Sequence, residues 1–220
     1  DRPFATIEVD LTDVPAVEAA LADVRVDGVV HTAALIAARA QQDLLETVEV
    51  NVAVPLRLAE WAGRIGARRF VTLSSWSVFD EDQPGPITEQ SPLMIQFTSY
   101  YVASKLAMEH LLSALAHASG LSVAALRPAV IYGYGPNLGG SVGSAAIEGQ
   151  VLRALAGDEV VLPSNIISQT ELVYVEDVAA FAAAALTREQ AEPFTWFTVG
   201  SQETTTVQEL AQTLTEIFPD

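Results

Sequence analysis

The chain has 220 residues, half of them hydrophobic, which suits one domain or one domain with a small lobe. It contains no cysteine, which excludes disulfides and thiolate metal sites, and its formal net charge of −17 argues against a nucleic-acid partner. No apolar run reaches the length of a membrane span and no signal peptide is visible, so we expect no membrane partner and a cytoplasmic location.

Strand-like and helix-like segments alternate along the chain. The segments Thr6–Val9 and Val26–His31 are predicted strands, and a helical pattern follows from about Leu44 to Ile65. Further predicted elements are the strand Phe70–Leu73, a helix from near Tyr101 to Ser119 that Gly120 ends, the strands Ser122–Leu126 and Phe194–Val199, and the amphipathic stretch Thr205–Phe218. This alternation predicts an α/β fold with a doubly wound parallel sheet covered by helices on both faces.

Three groups of residues follow predicted strands directly. They are Thr32-Ala33-Ala34, Ser74-Ser75 and Pro128-Ala129. In an open parallel sheet, ligands bind in the crevice beyond the carboxyl ends of the strands. We therefore expect these three groups to line one binding crevice.

Lys105 is the only lysine, since the other ten cationic side chains are arginines, and it stands four residues after Tyr101. Residues at i and i+4 share one helix face, where an ammonium can stabilise a tyrosinate and lower the pKa of the tyrosine. Such a pair suits acid/base chemistry on alcohols and carbonyls. The bare Tyr-x-x-x-Lys pattern also arises by chance.

Other residues could take the acid/base or metal-binding role, and their sequence neighbours distinguish them. Tyr100 has Ser104 at i+4 instead of a lysine, so Tyr101 is preferred as the acid/base. The three histidines show no metal-ligand spacing and are interpreted as structural, as are the carboxylates Glu109 and Asp177. We expect no metal site.

Eight short motifs occur in a fixed order: Asp10-Leu11, His31-Thr32-Ala33-Ala34, Asn51, Ser74-Ser75-x-x-Val78-Phe79, Thr88-Glu89-x-Ser91-Pro92, Tyr101-x-x-x-Lys105 with Glu109, Arg127-Pro128-x-x-x-Tyr132-Gly133, and Val173-Tyr174-Val175-x-Asp177-Val178. With these motifs, the chain resembles the extended short-chain dehydrogenase/reductase superfamily, in its NAD-dependent epimerase/dehydratase branch. The resemblance covers essentially the whole chain. It implies a Rossmann-like fold and an NAD or NADP cofactor.

The resemblance implies catalytic roles for three residues. Tyr101 would be the acid/base, Lys105 would bond the nicotinamide ribose and lower the pKa of the tyrosine, and Ser75 would hydrogen-bond the substrate oxygen. Ser74 is the rival of Ser75 within the motif, and a hydroxyl that caps backbone at a strand end is the alternative role.

The resemblance also implies cofactor contacts. Asp10 and Leu11 would contact the adenine, Thr32, Ala33 and Ala34 would line the pyrophosphate and ribose, and Asn51 would support the cofactor or the backbone of the active site. Pro128 and Ala129 would present backbone to the nicotinamide amide. Asp10 is equally suited to a turn, and Asn51 to a solvated helix surface.

One departure from the family concerns its Gly-x-x-Gly-x-x-Gly loop, which this sequence lacks. That loop would belong to a strand and helix before Asp10, where it places a pyrophosphate on a helix N-terminus. We therefore expect a fragment without the first βαβα portion, short of roughly 45–60 N-terminal residues, since a βαβ unit takes ~30 or more. The choice between NAD and NADP stays open.

A second departure concerns the substrate. Nucleotide-sugar members of the family usually carry a phosphate-binding arginine where this chain has Thr170, and the Glu171 carboxylate that follows would repel a diphosphate. We expect residues 1–133 to form a partial dinucleotide-binding domain. Residues 134–220 are expected to form mainly a substrate-binding lobe, with some elements returning to the Rossmann core.

The sequence thus predicts an NAD(P)-dependent oxidoreductase or epimerase acting on a secondary alcohol or ketone, such as a sugar. A nucleotide-sugar epimerase or dehydratase is the alternative within this class. A non-catalytic dinucleotide-binding redox sensor is the alternative of another class. The expected partner is a small-molecule substrate, with a homodimer left open.

Overall fold

The computed structural model describes residues 4–80, 82–83, 86–134, 142–160 and 169–218. Its main sheet has four parallel strands in the order β1 (Gly28–His31), β2 (Arg69–Leu73), β3 (Ser122–Pro128) and β6 (Phe194–Val199). A smaller sheet pairs β5 (Gln169–Tyr174) in parallel with β4 (Val130–Tyr132) and antiparallel with β7 (Thr204–Thr206). The parallel main sheet confirms the predicted α/β, Rossmann-like class.

Eight α-helices connect these strands in the described chain: α1 (Val14–Leu21), α2 (Ala37–Gln42), α3 (Leu44–Val48), α4 (Val54–Arg64), α5 (Tyr100–Ser119), α6 (Val142–Ala156), α7 (Val175–Thr187) and α8 (Val207–Ile217). The Ser99 side chain caps α5 by accepting from Val102 N, and Gly120 ends it at φ +74°. None of the described helices is long and apolar enough to cross a membrane.

Helices cover both faces of the main sheet because its strands alternate their side chains. Phe70 packs with Met108 and Leu112 of α5 on one face, where α4 also contributes small residues. Val71, its neighbour in β2, points to the opposite face and packs in the cluster formed with α7. This is the doubly wound arrangement that places strand ends at one crevice.

The predicted strand Thr6–Val9 is wrong. Residues 4–10 have no regular structure, and Phe4 and Ile7 are 90% and 49% exposed. A strand needs a neighbour to accept its backbone hydrogen bonds, and no strand of the described chain pairs with this segment. Local β propensity is not sufficient without a partner.

The predicted helix from Leu44 to Ile65 forms, but a π-helical turn at Glu49–Ala53 divides it into α3 and α4. Pro55 stands at the start of α4 and has no N–H to donate to the carbonyl of residue 51. A wider turn at this point is a common response to such a gap in the ladder.

Part of the expected division into lobes falls on residues 135–141 and 161–168, which lie outside the described residues. Within the second half of the chain, α7 and β6 pack into the main sheet. The division at residue 133 stays a prediction.

Candidate active site

The three groups predicted to line the crevice stand at the carboxyl ends of adjacent strands. Residues 32–34 follow β1, Ser74 and Ser75 follow β2, and Pro128 ends β3. The parallel register aligns His31 with Thr72 and Leu73 with Leu126, so these ends lie along one edge of the sheet. The three groups therefore lie at one edge of the sheet, and their role in lining a binding crevice stays a prediction.

Helix α5 brings Tyr101 and Lys105 to this edge. The side chain of Lys105 is 3% exposed, and its Nζ donates to the Leu73 carbonyl oxygen at 2.8 Å. The same Nζ lies 5.7 Å from the centroid of the Tyr101 ring. Lys105 is thus held between the end of β2 and the tyrosine ring.

Burial controls the protonation of this pair. Burial lowers the pKa of Lys105 to about 8, and the negative charge of Glu109 opposes the change. Burial also raises the pKa of Tyr101, and a hydrogen bond with the Ser75 side chain only partly offsets the rise. The expected lowering of the tyrosine pKa is therefore wrong for this structure, because desolvation outweighs the opposing influence of Ser75.

Ser75 is better placed than Ser74 to meet a substrate. Its side chain is near enough to Tyr101 to lower the pKa of the phenol, and its Oγ lies 2.8 Å from Ser77 Oγ and accepts from Ser77 N at 3.2 Å. Ser74 is 3% exposed, and its Oγ has no partner in the described chain. The Ser75 hydroxyl also caps a short 3₁₀ turn at Trp76–Val78, so the alternative capping role is real as well.

Tyr100 does not compete for the acid/base position. Tyr100 is 37% exposed, whereas Tyr101 is half-buried beside Ser75 and Lys105. The Tyr100 backbone N–H donates to Gln41 Oε1 at 3.0 Å, which fixes the start of α5.

Asn51 is held between two segments of the candidate active site. It lies in the π-helical turn and is 1% exposed, so the alternative of a solvated asparagine is wrong. Its Oδ1 accepts from Leu35 N at 2.7 Å, and its Nδ2 donates to Leu35 O at 2.9 Å and Ser104 Oγ at 3.0 Å. One amide thereby joins the segment after β1 to the helix that carries Tyr101 and Lys105.

The residues expected at the pyrophosphate and nicotinamide differ in exposure. Thr32 and Ala33 are exposed and Ala34 is half-buried. Pro128 and Ala129 are buried, and the Ala129 N–H donates to Val199 O at 2.9 Å. That N–H is therefore committed to the sheet.

Asp10 and Leu11 are described by local contacts. The Asp10 carboxylate accepts from Thr12 N at 2.9 Å and Thr12 Oγ1 at 2.8 Å, which lowers its pKa and matches the alternative turn role. Leu11 lines a groove of about 240 Å³ between α1 and α4. Their predicted contact with adenine stays a prediction.

The Glu171 carboxylate makes a local contact, and its predicted repulsion of a diphosphate stays a prediction. Its Oε1 accepts from Gln202 N at 2.7 Å, and a Cβ on Gly200 would lie 1.9 Å from the same oxygen. The carboxylate is therefore packed against the turn at residues 200–202. Thr170, the position that lacks an arginine, is 7% exposed.

Two contributors near the site were not predicted from the sequence. The Gln41 side chain bridges two elements by accepting from Tyr100 N and donating to Thr98 O at 3.3 Å. The buried pair of Arg127 and Glu109 connects β3 to α5 with bonds of 3.0 and 2.5 Å. An exposed glutamine carries no sequence signal, but Arg127 and Glu109 both belonged to quoted motifs.

The family model described as the NAD dependent epimerase/dehydratase family matches residues 1–200. The chain belongs to this family. This confirms the predicted family, the enzyme class and the nicotinamide cofactor. No curated protein matches the sequence closely enough to count as a relative.

Several solved structures of the family are similar to the chain. A UDP-glucose 4-epimerase from Thermus thermophilus in complex with NAD is 28% identical, with a TM-score of 0.81 over 96% of this chain and 68% of that one. The Thermotoga maritima UDP-glucose 4-epimerase with UDP-glucose is 26% identical, with a TM-score of 0.82 over 97% and 68%. WbmG from Bordetella bronchiseptica with NAD and UDP, at 23% identity, has a TM-score of 0.77 over 97% and 63% and shares the fold.

The chain spans 63–68% of the length of these three structures. The roles of the individual site residues stay predictions.

Proposed function

We propose that this epimerase/dehydratase-family protein catalyses NAD-dependent epimerisation or oxidoreduction at a secondary alcohol of a sugar, with Tyr101 as the acid/base. The observation that carries the proposal is the convergence of Tyr101, Ser75 and Lys105 at the carboxyl ends of the parallel strands. A phenol, a hydroxyl and an ammonium in one crevice are the groups that alcohol–carbonyl interconversion needs.

The residues at this edge fit a nicotinamide cofactor. Of the three N–H donors of the Lys105 ammonium, one bonds Leu73 O within the described chain, which leaves donors for ribose hydroxyls. The exposed backbone at Thr32 and Ala33 allows a ligand to approach closely. Lys105 and residues 32–34 would hold the cofactor, which when bound accepts and returns a hydride at the reacting carbon.

The side chains would divide the proton chemistry between them. The phenolate of Tyr101 would take the proton from the substrate hydroxyl on oxidation, and the phenol would return it to the carbonyl oxygen on reduction. Ser75 would donate a hydrogen bond to the same oxygen, where negative charge collects. Lys105 would stabilise the phenolate, since its ammonium lies beside the tyrosine ring.

A nucleotide sugar is the substrate class that the comparisons support best. Two structures more than 25% identical to this chain are UDP-glucose 4-epimerases, and one of them is seen with UDP-glucose. Thr170 cannot supply the charge of a phosphate-binding arginine, so another cation would have to balance a diphosphate. We propose that residues after 133 contribute most of the substrate-binding surface.

A non-catalytic redox sensor is disfavoured. Such a protein needs no acid/base pair, whereas this chain keeps its single lysine buried beside Tyr101. Moving an ammonium out of water costs several kcal/mol. A buried lysine is therefore retained more readily where its charge has a chemical use.

Turnover of UDP-glucose and of sugars without a nucleotide, each with NAD and with NADP, tests the proposal. Tyr101→Phe removes the transferable proton and should lower kcat by about 10²–10⁴-fold while leaving the Kd for the cofactor within about twofold. Tyr100→Phe is the matched control and should keep kcat close to wild type. A Tyr101→Phe protein with normal kcat, or a Tyr100→Phe protein with the larger loss, would overturn the assignment.

A further inference from the structure

The two proposed catalytic residues Ser75 and Tyr101 are joined by one stretch of chain. Residues 76–98, here called the connecting segment, lead from the Ser75 end of β2 to the cap of α5. Apart from the 3₁₀ turn at Trp76–Val78, its described residues form no helix and no strand longer than one bridge. Contacts with other elements must therefore fix its course.

The first and last parts of the connecting segment are held locally. Phe79 and Leu93 form an antiparallel bridge, with Asp80 N donating to Pro92 O and Met94 N to Val78 O, both at 2.9 Å. At the far end, Gln41 holds Thr98 O and Tyr100 N. These contacts join the segment to itself and to α2.

Glu89 makes a different contact, because it ties the middle of the connecting segment to the main sheet. Its carboxylate Oε1 accepts from Thr198 N at 3.1 Å and from the Thr198 hydroxyl. Its carbonyl oxygen accepts from Trp196 Nε1 at 3.1 Å. Three hydrogen bonds from β6 thus converge on a single residue of the segment.

The point of attachment adjoins the crevice. Thr198 lies opposite Arg127 in the sheet register, and Val199 lies opposite Pro128, the last residue of β3. The Arg127 guanidinium stands 4.8 Å from the Phe79 ring and 5.2 Å from the Trp196 ring. The start of the segment, β3 and β6 therefore pack around one cation.

Arg127 also connects this cluster to the catalytic helix. It forms a buried two-bond ion pair with Glu109, which follows Lys105 by four residues on the same face of α5. The hydrogen bonds of Glu89 and the stacking of Arg127 on Phe79 accordingly tie the middle and the start of the connecting segment to neighbouring strands of the main sheet.

We propose that Glu89 is a positioning residue that fixes the distance between Ser75 and Tyr101 by fastening the connecting segment to β6. The inference rests on the proposed function, because it assumes that these two side chains act on one substrate oxygen. Glu89 has no described contact with either side chain, so it acts through the course of the backbone.

Catalysis is sensitive to displacement of the reacting side chains, since a misplacement of about 1 Å can lower the rate by ~10²-fold. Loss of Glu89 should therefore reduce kcat more than it reduces cofactor binding. The Glu89→Gln amide keeps an oxygen that accepts from Thr198, whereas Glu89→Ala removes the acceptor.

The experiment compares Glu89→Ala, Glu89→Gln and the neighbouring control Gln90→Ala in kcat, KM, the Kd for NAD and amide hydrogen exchange of residues 86–98. We expect Glu89→Ala to lower kcat by about 10–100-fold, with the Kd for NAD within about twofold and faster exchange in the segment. Glu89→Gln should stay within about threefold of wild type in kcat, and Gln90→Ala should match wild type.

Hydrogen exchange separates this inference from the proposed function. Faster exchange in Glu89→Ala but not in Gln90→Ala supports the attachment even if wild-type protein turns over none of the tested sugars. Unchanged exchange in Glu89→Ala overturns the attachment. Faster exchange with normal kcat in an active protein overturns the positioning role.

Discussion

At the scale of single residues, the buried ammonium of Lys105 is the most consequential feature of the site. Its Nζ donates to Leu73 O and lies beside the Tyr101 ring, so it has a partner but no full counter-charge in direct contact. Burial therefore lowers its pKa from 10.5 to about 8. A compact ammonium that titrates near neutral pH is suited to a site where charge must shift during the reaction.

This pKa makes stability depend on pH in a definite direction. Below about pH 8 the lysine is protonated in both the folded and the unfolded chain, and between about 8 and 10.5 the unfolded chain holds more of the proton. The free energy of unfolding should then rise with pH across this window, by up to about 3 kcal/mol at ~1.4 kcal/mol per pKa unit. Urea unfolding of wild type and Lys105→Met at several pH values measures the difference.

Lys105→Met is the reference because it fills a similar volume without a titrating group. Titratable groups remote from residue 105 are the same in both proteins, so their contribution to the pH dependence cancels. A wild-type minus variant difference that stays flat from pH 8 to about 10 would show that the folded ammonium keeps its ordinary pKa.

At the scale of elements, the ion pair between Arg127 of β3 and Glu109 of α5 joins the main sheet to the helix that carries Tyr101 and Lys105. Both side chains are at most 4% exposed, and Arg127 makes bonds of 3.0 and 2.5 Å to the two carboxylate oxygens. Two aromatic rings flank the guanidinium. Removing one partner would leave an uncompensated charge in this interior.

Arg127→Met should therefore destabilise the fold by about 3–5 kcal/mol, because it leaves the buried Glu109 carboxylate without its counter-charge. The double variant Glu109→Leu/Arg127→Met should recover much of that loss, because it removes both charges and keeps apolar volume. Chemical denaturation of the two single variants and the double variant gives the coupling energy. Additive losses in the double variant would contradict a direct pair.

The sequence predicted the elements that local patterns determine. The limits of α5 follow from its cap at Ser99 and from Gly120, and the strand Phe194–Val199 follows from its apolar pattern. The strand Thr6–Val9 was wrong because strand formation depends on a partner elsewhere in the chain. The crevice residues were found because parallel strands bring their carboxyl ends together.

Contacts that depend on distant segments could not be predicted. The bond of Glu89 to Thr198 joins residues 109 positions apart, and that of Gln41 to Tyr100 joins residues 59 apart. Neither side chain belongs to a spacing pattern that indicates its partner. The raised pKa of Tyr101 was missed for a related reason, since burial depends on the whole packing around the ring.

At the scale of the whole molecule, negative charge dominates. The 28 acidic residues exceed the 11 basic ones, for a formal net charge of −17. The described surface pairs, Arg39 with Glu46 and Arg57 with Glu49, have side chains that are 38–58% exposed. Exposed pairs of this kind contribute only about 0.2–1 kcal/mol each, so they do little to offset the repulsion.

Added salt should therefore stabilise the fold. The screening length falls from about 30 Å at ~0.01 M to about 8 Å at ~0.15 M salt, which shortens the range of repulsion across the molecule. The same screening weakens the two exposed pairs, but acidic side chains exceed basic ones by 28 to 11, so repulsion is the larger effect. For a chain of this size, a gain of about 1 kcal/mol in the free energy of unfolding raises Tm by about 2–4 °C. Thermal unfolding at the two salt concentrations, in NaCl and in KCl, will detect such a shift. A fall in Tm with both salts would mean that attractive pairs, rather than the net charge, govern the electrostatics of the fold.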